Sequence, residues 1–358
     1  MNEKSNKLLF AIIALAMAMV IVAFVSEIVF RIDDKKDPKT GTQLNSRGFH
    51  DVEHQDLKES DHVVMLLGDS FIEGAGVDIK WTVGRRLQKF LRESGDYEVV
   101  AMGEPGAGQA REFQILKEYL PAVKPDMVVL AFLPANDVMN NSAELEPKKT
   151  KPFYELTDGE LRLVTPGEAK KGESSFSRLL DEIGQRLDHF RMRRAKVKAG
   201  GGIPLDFYIY AEQSSPEWER AWEITFALIS KIRQTAADAG ARFAVAVIAD
   251  RWQTSSAAFQ RLIETYPAMK EKSWDPQKPA KRIVGWCMEN GIPVVDLHEG
   301  FRTDLPEELF LEDGHWNSAG HNLAARIIAD GLKPLLDEKK TSDETADNSP
   351  ASGDKQME

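Results

Sequence analysis

Four separated blocks of this chain carry residues that together could transfer an acyl group. Gly68-Asp69-Ser70 offers a hydroxyl, and Asp313-Gly314-His315-Trp316-Asn317 offers a base with an acid two residues before it. Asn136-Asp137 offers a side-chain amide, and Gly103-Glu104-Pro105-Gly106-Ala107-Gly108 offers backbone N–H groups without side-chain cover at the glycines. Acyl transfer to a serine needs a nucleophile, a base, a group that orients the base, and donors for the oxyanion. Ser70 is the candidate nucleophile and His315 the candidate base. Asp313 reaches the His315 ring by a local bend, fixing one nitrogen and leaving the other for Ser70. The Ser70 and Gly106 N–H groups and the Asn136 amide are the candidate oxyanion donors. Each block alone has a plain structural alternative: a turn at Gly68-Asp69-Ser70 and at Gly106, helix capping at Asn136-Asp137, a solvated loop side chain at His315.

These blocks need a scaffold that brings them to one rim. Val63-Val64-Met65-Leu66-Leu67 is an uninterrupted apolar run, the signature of a strand buried on both faces of a parallel sheet. A serine just past its carboxyl end lies where open α/β sheets place their ligands. The pattern predicts further strands at Tyr97–Met102, Met127–Phe132, Phe243–Ala249 and Pro293–Leu297. Helices are predicted at Ile79–Glu93, Gln109–Leu120, Trp218–Ala239 and Asn317–Leu336. Alternation of this kind points to an α/β fold with a parallel sheet. Residues 140–215 break it. Phe153–Val164 reads as a hairpin with an Asp158-Gly159 turn, Phe176–Lys198 as a helix and Ala199–Gly202 as a joint, so the segment is expected as an insertion over one edge of the sheet, near the strand ends.

The ends of the chain read differently. Leu8 to Phe30 spans 23 residues, almost all apolar, and as a helix would reach roughly 34 Å, enough for a bilayer core. We expect a membrane anchor over residues 1–30, the alternative being a cleaved signal peptide, which would want a small-residue cleavage site. Residues 31–60 read as a juxtamembrane linker. Residues 61–336 form the expected domain. Residues 337–358, with seven acidic and three basic side chains, read as a disordered tail. The net charge of −11 argues against a nucleic-acid partner. Cys287 is the sole cysteine, so no disulfide framework is available within the chain. No His/Asp/Glu cluster has metal-ligand spacing.

Taken in order, Ser70, Gly106, Asn136 and His315 resemble the four blocks of the SGNH (GDSL-type) hydrolase family. Asp313-x-His315 is similar to the form found in membrane-anchored bacterial members. Asn45-Ser46-Arg47-Gly48-Phe49 and Pro125–Leu130 also resemble that subgroup's flanking sequence. The resemblance runs from about Asn45 to Leu336, apart from the insertion. There are departures: Pro134 stands where the family usually has glycine, and Ala101 where it often has asparagine. Members that space the acid three residues before the histidine would select Glu312, whereas the Asp-x-His form selects Asp313. Gly-x-Ser-x-Gly, the elbow of α/β-hydrolases, is absent around Ser70.

The resemblance implies a three-layer α/β/α sandwich with a flavodoxin-like parallel sheet and a serine esterase or O-acyltransferase that needs no cofactor. It implies an acylated glycan or small ester as substrate, with a membrane acyl-donor partner if the reaction is transfer. It also implies a catalytic domain outside the cytoplasm. The weak excess of Lys and Arg after the apolar run points the other way, a rule of little force when a long domain follows. The rival from another class is a non-catalytic module that keeps the fold to bind a glycan or partner. Trp316, beside the base, is read chiefly as a packing residue, with sugar stacking as the alternative. His298 and His321 are expected as a strand-end polar residue and a helix-surface residue.

Overall fold

The computed structural model describes Met17 and residues 43–54, 57, 62–74, 76–147, 151–164 and 202–347. Five strands, β1 (His62–Gly68), β2 (Tyr97–Gly103), β3 (Met127–Phe132), β6 (Arg242–Val247) and β7 (Val294–Asp296), form one sheet in the order β2-β1-β3-β6-β7. Every pairing in it is parallel. That is the doubly wound order, in which the chain leaves β1 toward one edge for β2 and then crosses back to β3. The switch point therefore lies beside β1, the strand that ends at Asp69-Ser70.

The apolar run of β1 fills both layers. Val63, Met65 and Leu67 pack with Phe113, Leu116, Trp222, Leu228 and Ile283 on one face. Val64 and Leu66 pack with Leu87, Leu91, Ile328 and Leu332 on the other. The helices Gln109–Val123, Pro216–Asp238 and Lys278–Glu289 thus cover one face, and Val83–Leu91 with Ser318–Asp347 covers the other. Because successive strand side chains point to opposite faces, a run with no polar position requires such cover on both sides. The three-layer α/β/α architecture follows.

Several predicted boundaries shift for local reasons. The helix expected over Ile79–Glu93 splits into a 3₁₀ turn at Ile79–Trp81 and a helix at Val83–Leu91. Asp78 caps the first piece, and Thr82, with ψ 152°, is extended and interrupts the helical path. The last helix continues past Leu336 to Asp347, into the stretch expected to be disordered. Residues 348–358 lie outside the described residues.

Within the linker expected over residues 31–60, the described residues 43–54 belong to the packed domain instead. Phe49, His50 and Asp51 are buried. Asp51 accepts the Ala101 N–H at 2.8 Å and pairs with Arg85 at 2.7 Å, and His54 bridges Asp51 and Glu98 at 2.8 Å each. This segment covers the β2 side of the sheet, where an uncovered edge would invite pairing with another chain.

The hairpin expected at Phe153–Val164 forms as β4 (Phe153–Thr157) and β5 (Glu160–Val164), paired antiparallel. Asp158 and Gly159 have φ of 52° and 81°, the two left-handed residues of a type I′ turn. It packs on the helical layer, with Tyr154 against Phe113, rather than over the sheet edge. The helix expected at Phe176–Lys198 lies outside the described residues, as does the apolar run Leu8–Phe30 apart from Met17. Among the described residues no helix is long and apolar enough to cross a membrane.

Candidate active site

Three neighbouring strands, β2, β1 and β3, deliver three of the four blocks to one rim. β1 leads directly into Asp69, whose carboxylate caps the one-turn helix Ser70–Glu73 by accepting the Phe71 N–H at 2.9 Å. Ser70 is the first residue of that helix. Gly74, left-handed at φ 72°, ends it after one turn. Gly103 at the end of β2 pairs with Gly68 at the end of β1, so the Gly106 loop starts alongside Ser70. On the other side, the loop after β3 carries Asn136.

The fourth block arrives from across the molecule. His315 Nε2 lies 2.8 Å from Ser70 Oγ. His315 Nδ1 lies 3.1 Å from Asp313 Oδ2, with the oxygen off the ring N–H direction, so the two are in polar contact without an aligned hydrogen bond. With the proton on Nδ1, Nε2 is free to accept from the Ser70 hydroxyl. The other Asp313 oxygen accepts the His315 backbone N–H at 3.0 Å, which ties the loop into a local turn. Leu311 N–H donates to the His315 carbonyl at 2.7 Å. Arg251 donates to the carbonyls of Leu311 and Glu312. Glu312, the acid that a three-residue spacing selects, thus meets Arg251 through its backbone, while Asp313 faces the ring.

Partial burial opposes ionisation of Asp313, yet the His315 N–H, the His315 ring and Arg251 hold its carboxyl below the usual range. Its side chain is 62% exposed, so solvent screens much of this interaction. Asp69 is the opposite case. Burial pushes its carboxyl up to about 6, against the pull of the Phe71 N–H, His315 and the Asn136 side chain. Asn136 therefore lies against Asp69 at the foot of the nucleophile.

Beneath the rim lie two buried carboxyls: Asp137, which the sequence offered only as the neighbour of Asn136, and Glu112, which sequence reasoning did not find. Burial, then the proximity of Asp69, pushes Asp137 well above the usual range; burial, then Asp137 and Asp69, does the same to Glu112. Gln109 donates to Asp137 at 2.7 Å and to Glu112 at 3.1 Å, and Asp137 accepts the Leu133 N–H at 2.9 Å. This network closes the 133–137 loop and so fixes Asn136. Only the third dimension brings Glu112 beside Asp137; no spacing along the chain marks it.

Trp316 is fully buried, donates its indole N–H to the Ala249 carbonyl at 3.1 Å, and packs against Phe71 and Phe301. Losing a buried aromatic costs about 3–5 kcal/mol, while one aromatic stacking contact returns about 0.5–1.5 kcal/mol. Packing, not sugar stacking, is its role. His321 is buried rather than on the helix surface. Its Nδ1 accepts the Val83 N–H at 3.2 Å, and burial, then His315 and His50, pulls its pKa down to about 3. It is a neutral strut behind Trp316. His298, also buried, is held by Asp296 at 2.6 Å.

Ser70, His315 and Asp313 thus meet in one Ser–His–Asp arrangement at the switch point of the parallel sheet. Residues 207–357 match the family model described as "SGNH hydrolase-like domain, acetyltransferase AlgX", a span that includes Asp313 and His315 but not Ser70, Gly106 or Asn136. Solved structures similar to this chain include that of TesA (18% identity, TM-score 0.41, covering 76% of this chain and 99% of that one). A GDSL-like lipase from Bacteroides thetaiotaomicron follows at 13% identity and TM-score 0.40, covering 79% and 93%. A lipase/acylhydrolase from Enterococcus faecalis has 13% identity and TM-score 0.39, covering 76% and 96%. Comparison with curated protein sequences gives no match.

Proposed function

We propose that this protein is a serine esterase that removes short acyl groups, acetyl above all, from a glycan. The observation that carries the reading is the Ser70 Oγ to His315 Nε2 distance of 2.8 Å, with Asp313 on the ring's other nitrogen. Ser70 attacks the ester carbonyl while His315 takes its proton. The tetrahedral oxyanion is met by the Ser70 and Gly106 N–H groups and the Asn136 amide. His315 then returns the proton to the leaving alcohol, and the acyl-enzyme is released by water. The rival without catalysis would have no need of a serine and a histidine within hydrogen-bonding distance.

A second reading has its own support, since the matching family model is named for an acetyltransferase. Transfer uses the same acyl-enzyme, resolved by a sugar hydroxyl in place of water. The purified protein should release acetate from p-nitrophenyl acetate much faster than it cleaves long-chain esters. If the long-chain esters are preferred, the short-acyl reading is wrong. If an added glycan sharply raises turnover and itself becomes acetylated, transfer replaces hydrolysis.

The placement of the enzyme belongs to the same proposal: Leu8–Phe30 tethers it, with the catalytic domain outside the cytoplasm. The support is the length and apolarity of that run. Alkaline phosphatase fused after Leu336 should be active in a bacterial host. An inactive phosphatase, together with an active cytoplasmic reporter at the same site, would reverse the topology.

A further inference from the structure

We propose that Lys151 is a positioning residue for catalysis, clamping together the two loops that carry the Gly106 and Asn136 oxyanion donors. This rests on the reading of Ser70 as nucleophile.

The Lys151 ammonium donates to the Gly106 carbonyl at 2.7 Å, to Asn140 Oδ1 at 2.9 Å and to Glu146 Oε2 at 2.8 Å. The first two belong to different walls of the site. Gly106 lies on the loop after β2. Asn140 lies one helical turn beyond Asn136, its N–H bonded to the Asn136 carbonyl at 3.0 Å. One cation therefore ties the loop after β2 to the helix that follows Asn136.

The Gly106 turn needs such a partner. Its φ of 68° is left-handed, a region where glycine is one of several accessible states rather than a fixed one. The Ala107 N–H to Glu104 carbonyl bond at 2.9 Å closes one side of the turn, and Arg111 holds Glu104 at 2.8 Å. Lys151 holds the opposite side, by the Gly106 carbonyl itself. Both bonds hold one planar amide, the 106–107 peptide, and only the φ and ψ of Gly106 separate that plane from the Gly106 N–H. Anchoring it narrows the directions in which the N–H can point, and a donor contributes to the transition state only when it is aimed before the charge develops.

The third partner explains why the cation stays. The Glu146 side chain is only 3% exposed and that of Lys151 22%, so the pair is largely removed from solvent. Lys151 precedes β4, in the segment that interrupts the α/β alternation. That segment thereby enters the chemistry without touching the substrate.

Removing one partner of a shielded ion pair leaves the other charge stranded. The test therefore uses the double variant Lys151→Met/Glu146→Gln, with Asn140→Ala, which leaves the ion pair intact, as a second probe. We expect kcat for p-nitrophenyl acetate to fall about 10- to 100-fold in the double variant, since a displaced oxyanion donor loses most of its effect. KM should stay within about twofold and the shape of the pH–rate profile should be unchanged, because neither nucleophile nor base is altered. Asn140→Ala, losing one arm of the clamp, should lose about 3- to 10-fold in kcat. Wild-type kcat in a folded double variant, or a loss confined to KM, overturns the clamp. Should the double variant not fold, unchanged kcat in Asn140→Ala overturns it. Ser70→Ala, run alongside, separates the two readings: if it turns over ester at the wild-type rate, the nucleophile assignment itself has failed.

Discussion

We expect Ser70→Ala to abolish labelling by a fluorophosphonate and to lower kcat by about 10⁴- to 10⁶-fold, with the midpoint of urea unfolding unchanged. The loss is large because the hydroxyl forms the bond and no neighbouring group replaces it. His315→Ala falls by a similar factor, and the Ser70→Ala/His315→Ala double variant is no worse than either single change. Groups that act as one unit are not additive: once the nucleophile is gone, the base has no proton to take. Asp313→Asn is the informative third variant. In a buried triad, acid-to-amide replacement costs about 10⁴. Here the acid is 62% exposed and meets the ring off the hydrogen-bond direction. The loop that presents His315 is also held independently, by the Leu311 N–H and by Arg251. We therefore expect a loss of only about 10- to 100-fold, far below the buried case. Labelling of the Ser70→Ala protein at the wild-type rate would remove Ser70 from the mechanism altogether.

Much of the scaffold was legible because it is local. The five apolar residues from Val63 to Leu67 had to be a strand covered on both faces, and β3 was read over Met127–Phe132, the range observed. Asp158-Gly159 marked its hairpin for the same reason, since few residue pairs tolerate two left-handed positions. What escaped depends on partners distant in sequence. His321 looks like a surface residue of its helix until the Val83 N–H, 238 positions away, comes to rest on its ring. Asp51 sits in a polar stretch that reads as linker, and its burial follows from an N–H on β2 that no sequence pattern advertises. Lys151 belongs to the run Lys148-Lys149-Thr150-Lys151, where nothing distinguishes one lysine from the next. The helices Ser256–Thr265 and Lys278–Glu289 went unread because they are short and flanked by irregular turns. At the site, the blocks themselves were readable, while the carboxyl network beneath them was not. Glu112 and Asp137 meet only once two helices have been packed.

The close approach that places Ser70 yields the largest expected effect on stability. A Cβ built on Gly103 would lie 2.0 Å from the Glu73 backbone nitrogen, 2.5 Å from the Ile72 carbonyl carbon and 2.7 Å from the Glu73 Cα. All three atoms are main chain of the one-turn helix Ser70–Glu73, so no side-chain rotation relieves the contact. Either β2 or the helix must move, and both are paired or packed on their far sides. Overpacking against side chains costs typically 1–3 kcal/mol; against backbone we expect Gly103→Ala to cost about 3 kcal/mol or more, read as a lower urea midpoint at unchanged m-value. Whatever protein remains folded should label more slowly with the fluorophosphonate, because the displaced helix carries Ser70 away from His315. Gly285→Ala supplies the contrast. That glycine lies inside the helix Lys278–Glu289, a Cβ there would meet nothing within 4 Å, and alanine is the better helix former. It should stabilise by about 0.5–1 kcal/mol and leave labelling untouched. If Gly103→Ala proves as benign as Gly285→Ala, the helix does not rest on the end of β2 as described, and the placement of the nucleophile must be redrawn.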